Sequence, residues 1–139
     1  MGGNHIMISR HTAFSTIARV GWFLALIVVF WQTLTPVPLE FSANFNDKVG
    51  HFLVFMILTV WGLLAWYSSQ PRHRQIVAFL ILFGIVIECA QYFVPTRFFS
   101  LPDWGADIVG VIFGLIGFRY FLSTQLSSKL LTQDFQRRP

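Results

Sequence analysis

The sequence predicts an all-α integral membrane bundle of four transmembrane helices. Three observations lead there. Only 12% of the residues are charged, where a soluble domain carries about 25%. The chain is 55% hydrophobic, with a mean hydropathy of +0.61. Its apolar residues gather into four stretches, and each approaches the ~20 residues a helix needs to cross a hydrocarbon core roughly 30 Å thick. Sixteen Phe and five Trp among 139 residues exceed what one small aqueous core can hold, whereas a bilayer solvates that apolar surface. The length leaves room for one compact bundle and no second domain.

The first stretch runs from Val20 to Leu34 and less regularly to Leu39. Pro36 and Pro38 end its regular helix. Backward it extends to Phe14, with Arg19 snorkelling toward headgroups. Arg10 and Arg19 precede an apolar run, as in a signal peptide, but no small-x-small site follows in Gln32-Thr33-Leu34-Thr35-Pro36. It therefore reads as a retained helix. The other three stretches cover Asp47 to Tyr67, Arg74 to Phe93 and Asp103 to Leu122. The resulting division is a cytoplasmic segment over 1–13, the helical domain over 14–122 and a cytoplasmic tail over 123–139.

Orientation follows from the basic residues. Arg10, Arg19, Arg72, Arg74, Arg119, Lys129, Arg137 and Arg138 fall on one side, leaving Lys48 and Arg97 on the other. The first side, with both termini, is expected to be cytoplasmic. Glu40, Asp47, Glu88, Asp103 and Asp107 collect in the opposite half, and Asp134 alone of the acids falls inside. The net charge of +4 and pI of about 9.8 thus report topology; the basic residues form no stripe for nucleic acid. A lone cysteine, Cys89, excludes an intrachain disulfide and any site with two Cys ligands. It is expected to be a small apolar packing residue. Gly110 and Gly114, with Gly117 a turn further, predict close helix contact within the bundle. Trp22, Trp31, Trp61 and Trp66 read as packing or interfacial-belt residues.

The polar residues converge. Asp47 and His51 are four apart on one face of the second helix, which puts His51 about 6 Å deeper. Asp103 and Asp107 repeat that spacing on the fourth helix. Glu88 and Gln91 stand three apart near the end of the third, with Glu88 roughly 21 Å from its cytoplasmic start. His51, Glu88 and Asp107 therefore share one depth, a turn or two below the outer surface. Facing lipid, each charged group would cost about 2.5–3.5 kcal/mol. They are expected to turn inward, with Glu88 and Asp107 meeting His51, Lys48 or Arg97. Structural accounts compete: Asp47 and Asp103 also stand where first-turn acids cap helices, after Asn44 and Ser100. His51 also fits a hydrogen-bonded interior histidine, and Glu88 and Asp107 fit either a structural network or a site.

The ordered set Asp47-Lys48-(x2)-His51-(x3)-Phe55, Glu88-(x2)-Gln91, Pro95-Thr96-Arg97 and Asp103-(x3)-Asp107-(x2)-Gly110 closely resembles the VanZ-like family. The match covers most of the chain. One position departs, because Asn is usual in that family where this chain has Asp107. The resemblance implies a small polytopic protein of the bacterial plasma membrane, in a family named for a member associated with low-level teicoplanin resistance. It does not fix a reaction.

Two functional readings follow, from different classes. In the first, the outer cluster binds or modulates an envelope component: a lipid headgroup, a cell-wall precursor or a glycopeptide-related ligand. Lys48 and Arg97 would contact phosphate or carboxylate, and Asp47, Gln91 and Asp103 would complete the ligand contacts. In the second, the protein is an enzyme on a lipid-linked substrate. His51 would be base or nucleophile, partnered by Glu88 and Asp107, with Arg97 stabilising developing negative charge. A divalent cation on Glu88, Asp103 and Asp107 is a variant of that idea; otherwise no metal or cofactor is expected. A polar core with a purely structural role is the third reading.

Overall fold

A computed structural model describes residues 3–36, 45–95 and 97–136, with side chains described for 15–36, 47–95 and 97–125. Its described residues form four helices: α1 (Gly3–Thr33), α2 (Phe45–Ala65), α3 (Gln70–Gln91) and α4 (Leu101–Gln136). Glu40, Pro38, Thr96, Arg137 and Arg138 lie outside the described residues, as do Asn44 and the side chains of Arg10, Lys129 and Asp134. Spans apolar and long enough to cross a membrane cover Ser15–Thr33, Asp47–Ala65, Gln70–Gln91 and Leu101–Gln125. Large apolar side chains on the outside of the bundle, such as Ile27, Leu82, Phe113 and Ile116, give those helices a lipid-facing surface. The chain is a multi-pass membrane protein.

Two helices run past the boundaries set by hydropathy. α1 begins at Gly3 and α4 ends at Gln136. No proline interrupts either stretch, so the backbone continues as helix where the composition turns polar. α3 starts after the N-cap residue Ser69, with Pro71 in its first turn, where a missing N–H costs nothing.

Helices adjacent in sequence run antiparallel, and the tightest contact is the parallel pair α2 and α4. Two glycines permit it. A Cβ on Gly110 would overlap the carbonyl oxygen of Phe52 and lie 3.1 Å from the Met56 nitrogen. One on Gly114 would lie 2.8 Å from the Met56 carbonyl oxygen. Gly117 has nothing within 4 Å of its Cβ position, so the close approach is confined to the first two.

α1 joins α2 by reciprocal tryptophan–glycine fits. The Trp61 ring lies over Gly21 and the Trp22 ring over Gly62. Each indole then donates across the interface: Trp22 Nε1 to the Leu58 carbonyl at 2.8 Å, and Trp61 Nε1 to the Ala18 carbonyl at 3.1 Å. Trp22 is thus a core residue, alongside Phe55, Leu58, Leu80 and Ile87, whereas Trp31 is exposed. At the α2 C-terminus, Arg19 Nε donates to the Ala65 carbonyl at 3.1 Å, and its guanidinium stands over the Trp66 ring. A cation there is favoured by the helix dipole. Cys89 is exposed, on the outward face of α3 next to buried Glu88. The expected small apolar packing residue is therefore not buried within the described bundle: one position along a helix turns a side chain by about 100°.

Candidate functional site

The polar residues meet at the end of the bundle where α2 begins, α3 ends and α4 begins. Because α2 and α4 are parallel, their two i, i+4 pairs lie side by side. Lys48 Nζ pairs with Asp103 Oδ1 at 2.5 Å. One turn further in, His51 Nδ1 lies 2.9 Å from Asp107 Oδ1. A carboxylate accepts only, so this contact puts the imidazole proton on Nδ1, and the described residues supply no partner for Nε2. Asp107 is fully buried and His51 nearly so. Gly84 makes room for the acid: a Cβ there would come within 2.7 Å of Asp107 Oδ2.

Glu88 enters from α3, fully buried. Its Oε2 accepts a hydrogen bond at 2.7 Å from the backbone N–H of Ser100, just before α4. Of the expected partners His51, Lys48 and Arg97, Glu88 meets His51, with a carboxylate oxygen and a ring nitrogen within 4.8 Å, but neither of the two cations. Lys48 is taken by Asp103, and Arg97 lies near Asp47, at 3.8 Å. The backbone turn preceding α4 reaches Glu88 instead. Among the described residues, Glu88 Oε1, Asp107 Oδ2 and Arg97 Nε are buried without a hydrogen-bond partner. A carboxylate oxygen of Glu88, one of Asp107 and a ring nitrogen of His51 all lie within 4.8 Å of one another. Asp47, His51 and Asp103 make a second such group. The cation trio envisaged on Glu88, Asp103 and Asp107 is not one of these; His51 belongs to both.

Gln91 stands apart. It is buried, and its Nε2 donates to the Thr33 carbonyl at 3.4 Å, linking α3 to the end of α1. The seven others, Asp47, Lys48, His51, Glu88, Arg97, Asp103 and Asp107, come together as pairs or trios.

A cavity of about 380 Å³ opens beside this cluster, between α1 and α2. Val28, Val29, Val54 and Phe55 give it an apolar wall, and Asp47, His51, Arg97, Gln32, Thr33 and Thr35 add polar groups to its lining. A larger cavity of about 590 Å³ lies at the opposite end, around Arg19 and Trp61. Among the described residues, its lining includes no carboxylate or histidine. The α1 contribution to the smaller cavity is what sequence reasoning missed, because Gln32, Thr33 and Thr35 carry no charge to mark them.

The chain was compared with protein families, curated proteins and solved structures. The family described as VanZ/LLP1 matches residues 8–123. An uncharacterised protein of Schizosaccharomyces pombe, C11E3.10, is 29% identical over 100 residues, covering 68% of this chain and 58% of its own length. The chain thus spans less than two thirds of that relative. No solved structure matches.

Proposed function

The chain belongs to the VanZ/LLP1 family, and we propose that it holds a phosphate-bearing lipid headgroup in the cavity between α1 and α2. Arg97 is the observation that carries this reading. The residue lines the cavity, its Nε is buried without a partner among the described residues, and the nearest described carboxylate, Asp47, stands at 3.8 Å, beyond hydrogen-bond reach. An under-satisfied arginine at the edge of an amphipathic cavity suits a phosphate, which accepts two parallel N–H bonds. The apolar wall of Val28, Val29 and Val54 suits an acyl chain, and Asp47 can accept from an amine or hydroxyl on the same headgroup. The envelope component is accordingly a membrane lipid, with a lipid-linked cell-wall precursor sharing the same phosphate chemistry.

In this reading both termini are cytoplasmic, which the distribution of basic residues supports, and the cluster lies in the outer leaflet of a bacterial plasma membrane. The test is lipid retention. Protein purified through stringent detergent washing should carry phospholipid, and Arg97→Gln should retain at least about tenfold less, the loss of a charge-assisted contact worth roughly 1.5–3 kcal/mol. Equal retention by the two would remove the proposal. Extraction and mass analysis of the retained lipid distinguishes a phospholipid from a lipid-linked precursor.

One observation favours the catalytic alternative. His51 has Nδ1 held by Asp107 while the residue lines the cavity, the arrangement a general base needs. Turnover of a lipid-linked substrate, abolished in His51→Ala and Glu88→Gln, would establish it.

A further inference from the structure

We propose that His51, Glu88 and Asp107 form a site for one first-row divalent cation of the Zn²⁺ or Mn²⁺ class inside the bundle. Three ligand atoms, one from each of three helices, lie within 4.8 Å of one another. Two of the side chains, Glu88 and Asp107, are completely buried, and each has a carboxylate oxygen with no hydrogen-bond partner among the described residues. Buried acceptors without partners are expensive, about 1–3 kcal/mol each and more for charged groups. A cation satisfies both at once.

Charge points the same way. Among the described residues at this end, the carboxylates of Asp47, Glu88, Asp103 and Asp107 face the cations Lys48 and Arg97. With all four ionised and His51 neutral, two negative charges are left over, the complement of one divalent ion. The imbalance is localised. Asp103 has Lys48 and Asp47 has Arg97, while Glu88 and Asp107 have only His51 and a backbone N–H. For that reason the second trio, Asp47, His51 and Asp103, is not the site, since its acids already face cations.

The donor set and spacing also fit. One imidazole nitrogen with two carboxylates suits a borderline first-row ion better than Ca²⁺, which takes six to eight oxygens. The 2.9 Å between His51 Nδ1 and Asp107 Oδ1 is close to the ~3.0 Å that separates neighbouring ligands at right angles around a metal about 2.1 Å away, and loading would move the imidazole proton from Nδ1 to Nε2 so that Nδ1 can bind the ion. Three protein ligands leave at least one coordination position for water or a ligand oxygen. The site does not rest on lipid binding, because none of its groups requires a headgroup.

The experiment takes the full chain in detergent, strips it with EDTA and titrates it with Mn²⁺ and, separately, Zn²⁺. Metal is counted by mass spectrometry after desalting, and melting is followed in parallel. The expected result is about one ion per chain, with a raised Tm for the loaded protein. Glu88→Gln and Asp107→Asn, which preserve side-chain size, should each bind at least about tenfold more weakly. No uptake by the unmutated chain, or undiminished uptake by both variants, overturns the proposal. A variant that fails to fold leaves a second reading intact. The Mn²⁺ resonance of the unmutated chain should show coupling to a histidine nitrogen, and its absence counts against the site as decisively. Retained lipid is measured separately with Arg97→Gln, so a failed headgroup proposal and a failed metal proposal look different.

Discussion

Replacing Gly110 by alanine adds one methyl group where α2 and α4 are in backbone contact. The new carbon would overlap the Phe52 carbonyl oxygen and lie 3.1 Å from both the Phe52 carbonyl carbon and the Met56 nitrogen. All three neighbours are backbone, so no rotamer change relieves the overlap and the helices must separate. Overpacking of this kind costs about 1–3 kcal/mol, and fixed backbone on both sides argues for the upper part of that range. Better helix propensity returns up to ~1 kcal/mol, leaving a net loss of about 2 kcal/mol. For a chain of this size that lowers Tm by roughly 4–10 °C. The consequence reaches the polar cluster, because His51 is adjacent to Phe52 and Asp107 is one turn before Gly110. Separation there lengthens the 2.9 Å contact. Melting in a single detergent, followed by tryptophan fluorescence, is the assay. Gly117→Ala is the matched control, since its Cβ position is open, and it should be neutral or slightly stabilising. If Gly110→Ala melts no lower than Gly117→Ala, the close-contact reasoning is wrong.

Other perturbations have equally definite outcomes. His51→Ala strands the buried Asp107 and should cost about 3–5 kcal/mol, whereas His51→Leu combined with Asp107→Leu should recover much of that loss in the same melt. Trp22→Phe removes the indole bond to the Leu58 carbonyl and should lower stability by about 1 kcal/mol in chemical unfolding; an unchanged midpoint would show the bond contributes nothing. Topology is tested in a Cys89→Ala background, with single cysteines introduced at Phe98 and Ser68. A membrane-impermeant maleimide added outside cells should label position 98 and spare position 68, and the reverse pattern would invert the proposed orientation.

The four helices were legible in the sequence because length and apolarity suffice to identify a span. The members of the polar cluster were legible too. Asp47 with His51 and Asp103 with Asp107 share a face by helical periodicity, and counting residues puts Glu88 at their depth. Partner choice was not legible. These helices are apolar all round, so no polar stripe reports how each is rotated or which neighbour it meets. Glu88 was expected to meet His51, Lys48 or Arg97; it meets His51, while the turn before α4, which carries no charge to mark it, puts the Ser100 N–H on that carboxylate. The exposure of Cys89 was hidden for the same reason, since hydropathy does not distinguish the lipid-facing side of α3 from the side that buries Ile87 and Glu88. Gly117 continues the glycine spacing of Gly110 and Gly114, yet α2 leaves it open. Helix ends were also hidden, because polar residues beyond a span continue a helix whenever nothing breaks it.

Photo-crosslinking with a phospholipid carrying a reactive group on its acyl chain tests lipid binding in the α1–α2 cavity most directly. Headgroup capture by Arg97 should hold the chain against the apolar wall, so adducts should concentrate on Val28, Val29 and Val54 and decline in Arg97→Gln. Adducts spread evenly over lipid-facing positions such as Leu24, Ile57 and Ile116, and unchanged by Arg97→Gln, would contradict the account.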